Sequence, residues 1–242
     1  MERWRSITSW DGEPSFHMGL DEALLEDQLA PLTLRFYDWR PRCLSLGYFQ
    51  RFADVPAAST AEAVVRRITG GGAIHHTEEL TFSIVAPLSH PLYRGPVAAS
   101  YERVHGQIAR ALSTLGEVVV MRRDDPVQSD ASGTGMCFHE STPLDLVWGG
   151  RKGVGSAQRR RNGRVLHHGS IKLEPAASEA GVAGLREHAP ELTREELREL
   201  LLGQFEQDWG ASYAFEEPTP IELTRARELG ARYPDPAFVQ RR

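Results

Sequence analysis

The chain has 242 residues, 40% hydrophobic and 25% charged, with 22 Gly and 15 Pro and no biased tract, a composition that excludes disordered and fibrous proteins. Its formal net charge of −5 excludes a general electrostatic attraction to nucleic acid or to an anionic membrane. No apolar run approaches the roughly 18 residues of a membrane span, and the opening Met1-Glu2-Arg3-Trp4-Arg5 leads into no apolar signal core, so a cytoplasmic protein is expected.

Met18, Leu25 and Leu29 recur at helical spacing among Asp21, Glu22 and Glu26, which predicts a helix over residues 17–29. Residues 32–37 and 43–49 read as strands, and the turn-rich stretch 38–42, with Pro41, predicts a β-hairpin between them. Residues 64–87 read as a strand, a turn at Gly70, Gly71 and Gly72, and a strand in which Leu80, Phe82 and Ile84 alternate with polar neighbours. Tyr101, Val104, Ile108, Leu112 and Leu115 mark an amphipathic helix, and residues 117–121 a strand. Residues 124–135 are polar and predict a long mobile loop of the kind that closes over sites. Two strands over 152–160 and 164–173 meet at Asn162-Gly163, a tight-turn pair. The last 50 residues are expected to be helical, on capping boxes at Thr193/Glu196 and Thr219/Glu222, the latter with Pro220 at the first helical position. Without repeat or linker, one α+β domain over residues 1–242 is expected, a mixed β-sheet flanked by helices.

Three glycines in a row lose much conformational entropy on folding. Gly70, Gly71 and Gly72 therefore imply either a tight turn or a backbone brought close to a phosphate or carboxylate, with Arg67 beside it. No P-loop or GxGxxG spacing is present. In the predicted strand after Gly150, the small residues Gly153, Gly155, Ser156 and Ala157 bare one face for a flat or elongated ligand, and Lys152 faces that groove unless it is simply solvated. The paired strand adds His167, His168, Gly169 and Ser170. Cys43 and Cys137 have neither disulfide nor metal-ligand spacing. Cys43 lies in an apolar strand and reads as a packing residue, whereas Cys137 follows a polar loop and precedes the Lys152 strand, which suits a thiolate stabilised by a nearby ammonium.

Several segments in order resemble the biotin/lipoate protein ligase superfamily, in its lipoate branch. Arg66-Arg-Ile-Thr-Gly-Gly-Gly-Ala-Ile-His-His76 is similar to the family's RRxSGGGAVxHD motif, and Glu79-Leu-Thr-Phe-Ser-Ile-Val85 to the ELTYSVV strand of its octanoyltransferases. Gly150-Arg-Lys-Gly-Val-Gly-Ser-Ala-Gln-Arg159 and His168-Gly-Ser-Ile171 resemble GRKxxGSAQxR and HGSIL. Met18-Gly-Leu-Asp-Glu-Ala-Leu-Leu25 and Leu34-Arg-Phe-Tyr-Asp-Trp39 also resemble family segments. The chain departs from the transferase pattern at Gly72, where arginine is frequent, at His76-Thr77 in place of His-Asp, and in lacking a Pro-Ser-x-Tyr-Glu run after the cysteine.

The resemblance implies attachment of an octanoyl or lipoyl group to a lysine of a lipoyl-domain or glycine-cleavage H-type acceptor. Transferases take the acyl group from a carrier through a cysteine thioester and need no cofactor; ligases activate lipoate with ATP and Mg. Cys137-Phe138 ahead of Gly150-Arg-Lys152 favours transfer, with the ligase and a non-catalytic acyl-binding relative as alternatives. On this resemblance Cys137 and Lys152 are catalytic. Arg67, Gly70, Gly71, Gly72, His76, Gly155, Ser156, Ala157, Gln158, His168 and Gly169 bind substrate, and no metal site is expected. The implied partners are an acyl carrier or H-type donor protein and a lipoyl-domain acceptor, but no nucleic acid or membrane. A monomer without a C-terminal accessory domain is expected. Arg159, Arg160, Arg161 and Arg164 around Asn162-Gly163 suggest a basic tip for docking an acidic carrier.

Overall fold

A computed structural model of the chain describes residues 2–177 and 179–241. In chain order its elements are β1 (Glu2–Gly12), α1 (Pro14–Glu26), β2 (Thr33–Trp39), β3 (Cys43–Leu46), β4 (Val64–Arg66), β5 (Ile74–His76), β6 (Glu78–Pro87) and α2 (Val97–Ser113). There follow β7 (Val120–Met121), β8 (Leu146–Trp148), β9 (Arg151–Arg161), β10 (Arg164–Glu174), α3 (Arg194–Trp209), β11 (Ala211–Phe215), α4 (Pro220–Gly230) and α5 (Pro236–Val239). Among the described residues, eight strands form one sheet in the order β11-β1-β2-β6-β10-β9-β8-β7, and three form a second in the order β4-β3-β5. The large sheet is mixed: β1 runs parallel to β11 and β2, and the remaining pairs are antiparallel. The α+β class and the mixed sheet flanked by helices are as expected.

Alternation along the strands decides what each face buries. Leu34 and Phe36 of β2, with Phe82 and Ile84 of β6, pack under Val104, Ile108 and Leu112 of α2 and Leu197, Leu201 and Phe205 of α3. On the other face Tyr37, Val85 and Leu166 meet Met18, Leu20 and Leu24 of α1, with Ala226 of α4 behind. The small sheet lies on this second side, and the candidate site is formed between it and the large sheet. Among the described residues no helix is long and apolar enough to cross a membrane.

Five expectations are corrected. Strands β2 and β3 are not a hairpin: β2 pairs with β1 and β6, while β3 pairs with β4 and β5, so residues 38–42 carry the chain between sheets. The second strand also stops at Leu46, because Gly47 passes so close to Gly71 that a Cβ there would meet its carbonyl oxygen at 1.9 Å. The first helix starts at Pro14 and ends at Glu26, leaving Leu29 exposed outside it. The last 50 residues are not wholly helical, since Gly210, at φ 60°, closes α3 and sends β11 along β1. The region predicted as strand 117–121 is reduced to the two residues of β7.

The Asn162-Gly163 hairpin is found as expected, with positive φ at both residues (49° and 75°). Both capping boxes also form. At α3, Glu196 N–H donates to Thr193 Oγ1 at 3.1 Å and Thr193 N–H to the Glu196 carboxylate at 2.9 Å. Replacing Thr193 with Ala is expected to cost about 1 kcal/mol of stability, read as a lower urea midpoint at unchanged slope; an unchanged midpoint would show that the cap contributes nothing.

Candidate active site

The floor of the site is the β9–β10 hairpin, in which Gly155 faces Ser170 and Ala157 faces His168. Gly153 is bare because Trp148 fills its space: a Cβ would fall 1.8 Å from the indole. Gly155 is bare for a different reason, since a Cβ there would lie 3.1 Å from Lys152 Cε and 3.3 Å from Cys137 Sγ. The small residues of this strand thus make room for two reactive side chains as well as for a ligand.

Cys137 opens a single 3-10 turn, Cys137–His139, that is fastened to the triglycine loop. Its N–H donates to Ala73 C=O at 2.7 Å, and Ala73 N–H donates to Gly135 C=O at 2.8 Å. The fit leaves no room at Gly72, where a Cβ would sit 2.7 Å from Cys137 N and 2.8 Å from its Cα. This accounts physically for glycine where related transferases frequently carry arginine.

Arg67 holds the loop from beneath. Its Nη2 donates to Gly70 C=O (2.9 Å) and Gly72 C=O (2.6 Å), and its Nη1 to Ser45 C=O (2.7 Å). Burial pushes its pKa down to about 10, against the opposing pull of Cys137. With both terminal nitrogens occupied by the protein's own carbonyls, Arg67 shapes the cradle; the structure does not offer those nitrogens to a ligand.

Lys152 lies between the floor and the turn, its side chain 1% exposed. Its Nζ donates to Cys137 C=O (2.6 Å), to Asp145 Oδ2 (2.8 Å) and to Glu140 C=O (3.3 Å), and it lies 3.6 Å from Cys137 Sγ. Burial disfavours an ammonium there, but the charges of Cys137 and Asp145 outweigh it and hold the Lys152 pKa above its ordinary value. Lys152 is therefore a fixed cation beside the sulfur at neutral pH.

Cys137 is shared by two cavities. One is narrow and walled chiefly by Met18, Tyr37, Trp39, Ile74, His76 and His168. The other, wider and open to solvent, is bordered by Gly70, Gly71, Gly72, Tyr101, Glu140, Asp145, Lys152 and Gln158. Gly71, Ser156 and Ala157 also border both. The arrangement is a thiol and an ammonium at the junction of an apolar pocket and a polar cleft.

The remaining predicted residues fall into two groups. His76 and His168 line the narrow pocket with their ring nitrogens already partnered. His76 Nδ1–H donates to Glu79 (2.5 Å) and Ser45 O–H to Nε2 (2.7 Å); Thr69 O–H donates to His168 Nε2 (2.6 Å), whose Nδ1 faces Asp21 at 3.4 Å. Gly169 also lines it, bare because a Cβ would strike Phe82 at 2.7 Å. By contrast Ser156 and Gln158 border the cleft with their polar side-chain atoms turned toward α2. Ser156 O–H donates to His105 Nε2 (2.6 Å), and Gln158 Nε2 donates to Ser100 Oγ (2.9 Å).

The four arginines near the hairpin do not form one basic tip, although Arg159 and Arg161 border a common cavity with Arg232. Arg164 is buried and donates to Ala30 C=O; Arg160 turns to Gln158 and Ser100; Arg161 faces Glu26 at 3.6 Å; Arg159 lies over the Tyr48 ring. Asp145, Glu79, Asp21 and Trp39 belong to the site and were not singled out from the sequence. Asp145 carries no local signal, being brought to Lys152 by the β8–β9 pairing. Among the described residues no group of His, Cys, Asp or Glu side chains is placed to hold a metal ion.

Residues 13–183 match the family described as "Lipoyl protein ligase A/B catalytic domain", and the chain belongs to it. The octanoyltransferase LipM of Moorella thermoacetica is 39% identical over 179 residues, which are 71% of this chain and 66% of that protein, just under two thirds of its length. The octanoyltransferase LipM of Kyrpidia tusciae is 34% identical over 96% of this chain and 97% of its own. A T. acidophilum protein solved with bound lipoic acid shares the fold over the whole of both chains, with a TM-score of 0.83 at 21% identity. The activity for which these curated relatives are named is octanoyl transfer, which favours the expected transfer chemistry over ATP-dependent ligation.

The buried imidazoles set an acid limit on stability. Burial, reinforced by Arg35, lowers the His17 pKa to about 3, and burial also lowers those of His76, His105 and His167. These groups are neutral when folded but take up protons below ~6.5 when unfolded, so stability falls as the pH drops below that value. Each contributes a slope of up to about 1.4 kcal/mol per pH unit. Urea midpoints are expected to decline between pH 7 and pH 5; a flat profile would contradict neutral buried imidazoles.

Proposed function

We propose that this protein transfers an octanoyl or lipoyl group from a carrier-protein thioester to a lysine of a lipoyl-domain or H-type acceptor, through an acyl thioester on Cys137. The observation that carries the reading is the Cys137–Lys152–Asp145 arrangement at the junction of a narrow apolar pocket and a wider polar cleft. The acyl tail lies in the pocket, and both the donor thioester and the acceptor amine approach through the cleft.

In the first step the Cys137 thiolate attacks the donor carbonyl, the acyl–sulfur bond to the carrier breaks, and the carrier leaves as a thiolate that takes its proton from solvent. In the second the uncharged acceptor amine attacks the acyl-cysteine, the acyl–Sγ bond breaks as the amide forms, the Cys137 thiolate is released and the amine proton passes to solvent. Thioester exchange is nearly balanced, whereas amide formation is downhill, so the covalent intermediate divides one transfer into two accessible steps. Lys152, held cationic by Asp145 and 3.6 Å from the sulfur, stabilises the thiolate by its charge. Cys137 N–H is spent on Ala73, so the oxyanion of each tetrahedral intermediate falls to Lys152, which gains a free donor by giving up its longest hydrogen bond, the one to Glu140 C=O at 3.3 Å. The donor is already activated as a thioester, so this chemistry requires neither ATP nor Mg.

Cys137→Ala is expected to abolish both the acyl-enzyme and turnover. Lys152→Gln should lower kcat by roughly a hundredfold or more, the scale of removing one oxyanion donor, and Asp145→Asn by less, because the cation remains. Intact-mass detection of an octanoyl adduct after mixing with octanoyl-carrier protein checks the intermediate. Full activity of Cys137→Ala would overturn the covalent route.

A further inference from the structure

Past the thiol, the outer half of β9 meets a second concave surface. The unbroken β9–β10 register puts Gly155, Ala157, Arg159 and Arg161 on one face of the strand, the face on which Leu166 and His168 of β10 meet α1. Cys137 Sγ lies over Gly155, and Ala157 borders both the narrow pocket and the cleft. Arg159 is the next side chain outward on that face, about 13 Å along the strand from Gly155. Arg159 and Arg161 line a cavity with Arg232, which follows α4, and with Tyr48, Phe238 and Glu22. Tyr48 ties this cavity to the triglycine loop, since its N–H donates to Thr69 C=O at 2.8 Å.

The charges around the cavity do not balance. Its one carboxylate among the described residues is Glu22, buried on α1, and Glu22 is already taken: Arg232 donates to it at 2.6 Å and Tyr233 O–H at 2.8 Å. Arg161 stands at the edge of ion-pair range, 3.8 Å from Glu22 and 3.6 Å from Glu26, and Glu26 in turn accepts from Arg225 at 2.9 Å. Arg159 has no hydrogen bond or ion pair among the described residues; it lies over the Tyr48 ring, 5.3 Å from the centroid, and Arg241 covers the same ring at 3.8 Å. Three guanidinium groups against one carboxylate leave a local excess of two positive charges in a chain whose net charge is −5. Like charges gathered in a concavity repel one another until an anion enters, and planar guanidinium groups suit phosphate oxygens.

We propose that this cavity binds the phosphodiester of the donor's pantetheine arm, with Arg159 taking the phosphate and Arg161 beside it. The inference rests on the acyl-transfer reading and adds to it a donor-recognition site. An acyl carrier presents its thioester on a flexible phosphopantetheine arm, so the donor brings one phosphate together with its acyl group. With the thioester carbonyl at Cys137, an arm laid outward along β9 passes Ala157, whose small side chain leaves it room, and meets Arg159. The other cations near the thiol, Arg67 and Lys152, are held by the protein's own oxygens, whereas Arg159 is not.

The test compares octanoyl-pantetheine, octanoyl-phosphopantetheine and octanoyl-carrier protein as donors, following the rate of Cys137 acylation by intact mass. The natural sequence should prefer the phosphorylated small donor to the phosphate-free one by roughly tenfold or more, the scale of one hydrogen bond to a charged group. Arg159→Gln should reduce that preference by about tenfold, and Arg159→Lys by less, because lysine keeps the charge but loses the fork. Arg161→Gln should reduce it as well, and thermal melts identify any variant that does not fold. No preference in the natural sequence, or a preference that persists in folded Arg159→Gln, would overturn the phosphate site while leaving transfer intact. Slower acylation of Arg159→Gln by octanoyl-carrier protein with the small-donor preference unchanged would overturn it too, assigning the arginines to the carrier's protein surface. Failure of all three donors to acylate Cys137 in the natural sequence would overturn the transfer reading and this site with it.

Discussion

The hydrogen bond from Cys137 N–H to Ala73 C=O, 2.7 Å long, joins the two chain segments that make the site. One is the loop after β4, which would be loose with three consecutive glycines were its carbonyls not gathered by Arg67. The other is the turn that carries the thiol. Glycine at position 72 is the condition for their contact, since any side chain there would displace Cys137. Once the turn is seated, the sulfur has one place to lie, over bare Gly155 and 3.6 Å from the Lys152 ammonium. Preorganisation of this kind is what a covalent acyl-transfer step needs, because the charge it creates then meets a cation already in position.

The opposite end of the pocket is built on a different principle. Where the large sheet faces α1, Asp21 accepts from Tyr37 at 3.0 Å and from Ser83 at 2.7 Å, forms an ion pair with Arg35, and faces His168. Arg35 is the strongest influence opposing the cost of burial, and with the hydrogen bonds it lowers the Asp21 pKa to about 2. Glu79 occupies the same position relative to His76 and Lys172. Polar residues beneath an apolar pocket are tolerable only when their atoms are paired with one another. Here the pairing also keeps rings such as His76 and Trp39 in fixed planes, so the pocket has the shape its walls impose.

How much of this was legible follows from how local each signal is. The capping boxes and the Asn162-Gly163 turn were readable because the groups that satisfy them lie within three residues. The helix over α2 was readable from spacing alone, with its start misplaced by four residues because Val97–Ser100 lack the apolar repeat. Strands β1, β8 and β11 escaped notice. In β1, Arg5 is buried only because Glu222 of α4 meets its guanidinium, a partner 217 residues away. The false hairpin between β2 and β3 has the same origin: strand-forming residues announce strands, not their neighbours.

For the site, Cys137, Lys152 and the glycines were found through their motifs, and the structure brings them together. The motif order could not say that Arg67 would be consumed by Gly70, Gly72 and Ser45, or that four arginines near the hairpin would disperse to separate partners. Nor could it supply Asp145, or the contacts that give Glu79 and Trp39, quoted only as parts of longer segments, their place in the site.

The measurement that bears most directly on the account is the intact mass of a purified apo lipoyl-domain protein after incubation with this protein under two regimes, octanoyl-carrier protein in one and ATP, Mg and free lipoate in the other. The account predicts modification of the acceptor under the first regime alone. Modification under the second alone would contradict it, returning Cys137 to a packing role and making the chain a ligase.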